Sequence, residues 1–157
     1  INQVEKLNGV ENFQLWKFEI TILLKANDLY EVATEVSAVQ DAAWLKKDAN
    51  AQKVIVLSLG KKPMTHVLNC KTAQSMWAKL CAIYERDSEQ RKCALMQEFF
   101  SYTMDKSCDV TTHISKLVNI ASNLKALNAD IADPMLISKI LVTLPDSFKG
   151  FVTAWES

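Results

Sequence analysis

Glycine and proline, the residues that most often interrupt regular structure, occur only three times each in 157 residues. Apolar residues meanwhile return every three or four positions instead of every second one. Few breakers and a helical period together predict an all-α chain.

Reading along the chain, a first helix is expected from about Glu11 or Asn12, with Asn12 as its cap after Gly9. It carries two apolar stripes: Phe13, Trp16, Ile20, Leu23 and Leu24 on one face, Leu15, Phe18 and Ile22 on the next. A surface helix of a monomer needs only one such stripe, about 100° wide. The second implies either a helix surrounded by others or one that meets a partner chain. The plain alternative is that it packs beneath the short piece Leu29–Val36.

A helix from Asp41 to Leu59 should follow, ended by Gly60 in a C′ position, with Lys61–Lys62 complementing its negative end. Pro63 suits the first turn of a short helix through Leu68. Thr72 caps the next helix, which bears Met76, Trp77, Leu80, Ile83 and Tyr84. At Glu85–Asp87–Ser88–Glu89 the chain turns polar, and there a boundary is expected between two small lobes, 1–86 and 87–157, with Ser88 capping a new helix. Later helices are expected from Asp109 or Thr111 to Asn128, from Asp133–Pro134 to Leu144, and from Ser147 to Trp155.

Charge narrows the function classes. Lysine plus arginine number 18 and aspartate plus glutamate 18, a net charge of zero. Nucleic-acid modules commonly carry a basic stripe that neutralises phosphates, and none is visible. A balanced charge instead suits self-association, because little repulsion opposes packing many copies together. No apolar run reaches the ~18 residues of a membrane span, and no signal peptide opens the chain. An intracellular, cytoplasmic setting is therefore expected, with no membrane partner. Because the first residue is Ile1 and not Met, the chain reads as a piece of a longer protein.

Catalytic inventories come up empty. The glycines Gly9, Gly60 and Gly150 are too far apart for a phosphate-cradling loop. His66 and His113 lie too far apart for a helical zinc pair, and no Asp-Thr/Ser-Gly turn exists. Cys70, Cys81, Cys93 and Cys108 have neither zinc-knuckle nor C-x-x-C spacing, so reduced thiols are expected, with Cys81 and Cys93 at core-like positions. His113 is placed in a first helical turn with a surface or capping role. Trp16, Trp44, Trp77 and Trp155 fall within apolar helical patterns and read as core, not as base-stacking platforms. No catalytic, cofactor or metal residue is assigned.

Five phrases, in order, resemble one family. Leu7-Asn8-Gly9-Val10-Glu11-Asn12-Phe13-Gln14-Leu15-Trp16 is similar to the "L-x-G-x-N-[FY]-x-x-W" opening of copia-type retrotransposon Gag polyproteins. Ala73-Gln74-Ser75-Met76-Trp77-Ala78-Lys79-Leu80 with Ile83-Tyr84 is similar to "A-x-x-[MI]-W-x-x-L-x-x-x-Y". His113-Ile114-Ser115-Lys116-Leu117 resembles "H-[IV]-x-x-[LF]". Ile131-Ala132-Asp133 and Leu141 to Phe148 resemble the closing "I-x-D" and "L-x-x-L-P-x-[ES]-[FY]" elements.

The resemblance implies a retroviral-capsid-like pair of helical lobes joined by a short linker. It also implies a structural protein that assembles with itself, through pentamer or hexamer and dimer contacts, into a virus-like particle around the element's RNA. The family's downstream zinc knuckle is absent here, so RNA binding is expected from segments outside these residues. Candidate assembly residues are Leu15, Phe18 and Ile22 in the first lobe, and Met135, Leu136 and Lys139 in a two-fold contact of the second. A domesticated host protein that keeps the capsid fold as a carrier of protein or RNA is the alternative. An enzyme on an unfamiliar helical scaffold is disfavoured, because no convergent set of ionisable residues is visible.

Overall fold

A computed structural model describes residues 4–145. Within them lie seven helices: α1 (Val10–Ala26), α2 (Tyr30–Thr34), α3 (Ala42–Leu57), α4 (Lys61–Val67), α5 (Ala73–Ser101), α6 (Val110–Ala126) and α7 (Asp133–Thr143). The only β-type pairing among the described residues is an isolated bridge, Leu7 to Leu59. The protein is all-α. The helix expected at Ser147–Trp155 lies outside the described residues.

Local chemistry explains most helix ends. Asp41 accepts a hydrogen bond from the Trp44 N–H (2.9 Å) and Asp109 from the Thr112 N–H (2.7 Å), so each satisfies an otherwise unpaired donor in the first turn. Thr72 does the same for the Ser75 N–H (3.1 Å). At α1 the cap is Gly9, not Asn12. Asn12 sits three residues inside the helix and reaches back: Oδ1 accepts from the Asn8 N–H (3.1 Å), and Nδ2 donates to the Lys6 carbonyl (2.8 Å). At α7 the cap is Ala132, with Asp133 and Pro134 already in the first turn.

Two helices end in left-handed residues that are not glycine, Asp28 (φ 57°) and Asn128 (φ 60°). In each case the following N–H reaches back five residues, Leu29 to the Leu24 carbonyl (2.8 Å) and Ala129 to the Leu124 carbonyl (2.9 Å). This is the Schellman ending. Asp and Asn tolerate the left-handed conformation better than other side chains, so the chain stops helices without using glycine.

Gly60 does not end α3 as expected from its sequence position. It precedes α4 with an ordinary φ of −73°. Its N–H donates to the Leu7 carbonyl (2.8 Å), while the Leu7 N–H donates to the Ser58 carbonyl (2.8 Å). A Cβ at Gly60 would stand 2.8 Å from the Leu7 oxygen and 2.6 Å from Asn8 Oδ1, so close backbone approach requires glycine. Lys61 and Lys62 accordingly lie in the first turn of α4 and not at the C-terminal end of α3.

The chain divides into two compact units that part between Ser88 and Glu89. No helix break marks this point: α5 is unbroken from Ala73 to Ser101, and Ser88 is buried within it instead of capping a new helix. The first unit is built on Phe13, Trp16, Ile20 and Leu24 of α1, together with residues such as Ile55, Trp77, Leu80 and Tyr84. Its aromatic rings pack in sequence, Tyr84 on Phe13 (5.6 Å), Phe13 on Trp16 (6.0 Å) and Trp16 on Trp77 (5.5 Å). The buried Trp16 N–H donates to the Ser58 carbonyl (3.1 Å) and to Ser58 Oγ (3.0 Å). The second unit has a smaller core of Leu95, Phe99, Leu117, Ile120, Leu124 and Leu127.

Candidate assembly surfaces

The two stripes of α1 have different fates. Phe13, Trp16, Ile20 and Leu24 are buried, with Leu23 left partly exposed. Leu15, Phe18 and Ile22 keep 52%, 66% and 53% of their surface in water. The short helix α2 does not cover them, so the alternative of packing beneath Leu29–Val36 is overturned. Spacings of three and four residues put the three side chains on one face within about 60° of arc and about 10 Å of helix length. Lys17, between Leu15 and Phe18 in sequence, forms an ion pair with Glu85 of α5, and this hydrogen bond raises its pKa against the opposing effect of burial.

In the second unit the candidates are divided between surface and core. Met135 is half exposed, whereas Leu136 packs partly against the core. Lys139 is occupied internally: its ammonium donates to the Phe100 carbonyl (2.9 Å) at the end of α5. Larger exposed apolar groups that sequence reading did not single out are Val142 (72%) and Phe100 (61%). Periodicity alone gave no sign of them, because both lie on helices whose other faces supply the core.

The chain matches, over residues 20–157, the family described as gag-polypeptide of LTR copia-type. It belongs to that family. This Gag domain is also similar to the "Retrovirus-related Pol polyprotein from transposon TNT 1-94" of Nicotiana tabacum, at 23% identity over 155 residues. The match covers 96% of the chain and 12% of that much longer polyprotein. No solved structure matches. Leu15 and Phe18 precede the span matched to the family, whereas Ile22 and the α7 residues lie within it.

Two of the remaining chemistry-bearing groups of this Gag domain, His113 and Cys81, are held by packing. His113 is not at the surface: it is fully buried, stacked on the Tyr102 ring (5.3 Å), with Nε2 2.6 Å from Thr143 Oγ1. Thr143 Oγ1 lies 2.8 Å from the Lys139 carbonyl, to which it donates. The hydroxyl ties Nε2 to the α7 backbone, while His113 Nδ1 is buried without a partner. Burial first, then the nearby Lys139 and Lys116 charges, lower the His113 pKa. Burial likewise pushes the Cys81 thiol up to about 11, so it is no activated nucleophile. Cys93 is exposed, contrary to its core-like position in the sequence pattern.

Trp16 and Trp77 are core residues, Trp44 is only half buried, and Trp155 lies outside the described residues. Among the described residues no group of three His, Cys, Asp or Glu side chains is placed to hold a metal ion. No helix among them is long and apolar enough to cross a membrane.

Proposed function

We propose that this structural Gag domain self-associates to build the shell of a virus-like particle, and that the shell encloses retrotransposon RNA in the cytoplasm. The exposed stripe of Leu15, Phe18 and Ile22 carries the reading. Three large apolar side chains aligned on one face leave a contiguous patch in water, and such patches are characteristic of surfaces that meet another protein. Repeated around a five- or six-fold axis, this contact closes a ring. A separate two-fold contact through α7, centred on Met135, links rings into a shell, with Leu136 and Lys139 at its margin. Individually weak contacts suffice, since closed symmetry multiplies them. RNA is held mainly by other parts of the polyprotein.

The test compares wild type with Phe18→Asp by light scattering and negative-stain microscopy across protein concentration and salt. Because Phe18 lies mostly in water, helical circular dichroism should be unchanged. Concentration-dependent oligomers or shells in wild type, lost in the variant, support the reading. A wild type that stays monomeric under every condition overturns it.

A further inference from the structure

Within the first unit the charges are segregated along the chain. From Asp28 to Asp41 there are four carboxylates and no lysine or arginine, whereas from Ala49 to Tyr84 there are five lysines and no carboxylate. The fold turns each run into a surface feature.

The acidic run borders a cleft of about 480 Å³ between α2, the connection that follows it, and the start of α3. Val32, Val36, Ala43 and Trp44 contribute apolar surface to it, and Asp28, Glu31 and Glu35 stand at its edge. Asp28 is engaged by Lys47 (2.8 Å), while Glu31 and Glu35 have no ion-pair partner among the described residues. The indole N–H of Trp44 is buried without an acceptor. An occupant that suits this cleft carries positive charge, one apolar side chain and a free oxygen.

The basic run supplies the positive charge and the apolar side chain. Lys61 and Lys62 are exposed on α4, and Leu68, at its end, leaves 70% of its surface in water. Trp44 lies near the start of α3 and Leu57 at its end, about 20 Å apart at 1.5 Å per residue, and α4 follows almost at once. Lys61 and Lys62, at the start of α4, therefore stand by the end of α3 away from the cleft, and no α4 residue lines it. A contact between unlike surfaces of identical chains propagates head to tail and closes into a ring when its rotation allows.

We propose that the cleft of one copy receives the Lys61–Lys62–Leu68 ridge of the next, with the two lysines against Glu31 and Glu35 and the leucine on Val32, Val36 and Trp44. This deepens the self-assembly reading and rests on it. A second copy is favoured over RNA as the partner of the ridge because an exposed leucine finds nothing to bury against phosphate. The run also holds no arginine.

The test is a charge swap in the full 157-residue chain, read by sedimentation velocity. Glu31→Lys with Glu35→Lys makes both surfaces basic, and Lys61→Glu with Lys62→Glu makes both acidic. Each variant alone should associate about tenfold or more weakly than wild type, because like charges are brought face to face. An equimolar mixture should recover the pairwise association of unlike copies to within about threefold of the wild-type value, because each unlike pair restores the opposite charges, although alternation closes only even-numbered rings. Wild-type association should weaken as salt rises from about 50 to about 500 mM. If wild type associates and neither variant differs, the contact lies elsewhere and only the self-assembly reading survives. Variants that fail to recover on mixing overturn the cleft–ridge contact. A wild type that is monomeric throughout overturns both readings. Loss of binding to a single-stranded oligouridylate in Lys61→Glu/Lys62→Glu, with association intact, would assign the ridge to RNA instead.

Discussion

Removing the Asp48 carboxylate should loosen the start of α5 from the middle of α3. Asp48 is only 5% exposed. Its Oδ1 accepts from the Ala73 N–H (2.8 Å), the first residue of α5, and its Oδ2 accepts from Gln52 Nε2 (2.7 Å). Asp48→Ala leaves the buried Ala73 N–H without an acceptor, which costs about 1–3 kcal/mol. It also removes a negative charge from the positive end of a helix, worth about 0.3–1 kcal/mol more. Gln52 is not stranded, since it also donates to the Lys71 carbonyl (3.1 Å). Relief of the buried charge offsets part of the loss, so a net destabilisation of about 2–3 kcal/mol is expected. Asp48→Asn keeps an oxygen for Ala73 and should cost only about 1 kcal/mol. The assay is urea unfolding followed by tryptophan fluorescence in a Trp155→Phe background, so that Trp16, Trp44 and Trp77 report on the first unit. With a slope of about 1–2 kcal/mol/M, the Ala variant should lower the midpoint by roughly 1–3 M. An Ala variant within about 0.5 kcal/mol of wild type, or an Asn variant worse than Ala, would refute the cross-helix cap.

Acid should selectively weaken the second unit through His113. Its folded pKa lies below the unfolded value of 6.5, so the stability it contributes is fully present above pH 6.5 and is lost as pH falls from there through the depressed folded value. Hydrogen exchange of α6 amides should accelerate across that window in wild type but not in His113→Gln, which cannot titrate; equal pH dependence in both would remove His113 as the cause. At the end of α6, Asn128→Gly should raise stability by up to about 1 kcal/mol and Asn128→Ala lower it by about 1 kcal/mol, because φ is 60° there. Thermal melts that rank Ala at or above Gly would contradict the left-handed ending.

The helices were legible in the sequence because what makes them is local. Asp41, Thr72 and Asp109 are caps whose partners lie three residues away, and the apolar spacing of α1, α3 and α6 repeats with the helical turn. Local reading went astray where polarity was taken for a break. Residues Glu85 to Lys92 are largely strong helix formers without glycine or proline, so α5 runs through them. Other features depended on partners distant in sequence. The role of Gly60 is set by Leu7 and Asn8, and the burial of His113 by Tyr102 and Thr143. Asp48 is a polar residue on a helix until Ala73 is brought against it.

The assembly surfaces show the division most clearly. Sequence alone determined that this Gag domain is all-α, that α1 has two apolar faces, and that family motifs run along most of its length. It did not determine which face of α1 would remain in water, because Phe13 and Phe18 are the same residue on the same helix. Only the tertiary structure decided that: Tyr84, Trp77 and Ser58 pack or bond against Phe13 and Trp16, whereas Phe18 keeps 66% of its surface in water. Hydrophobicity is a property of the residue, but burial is a property of what stands opposite it.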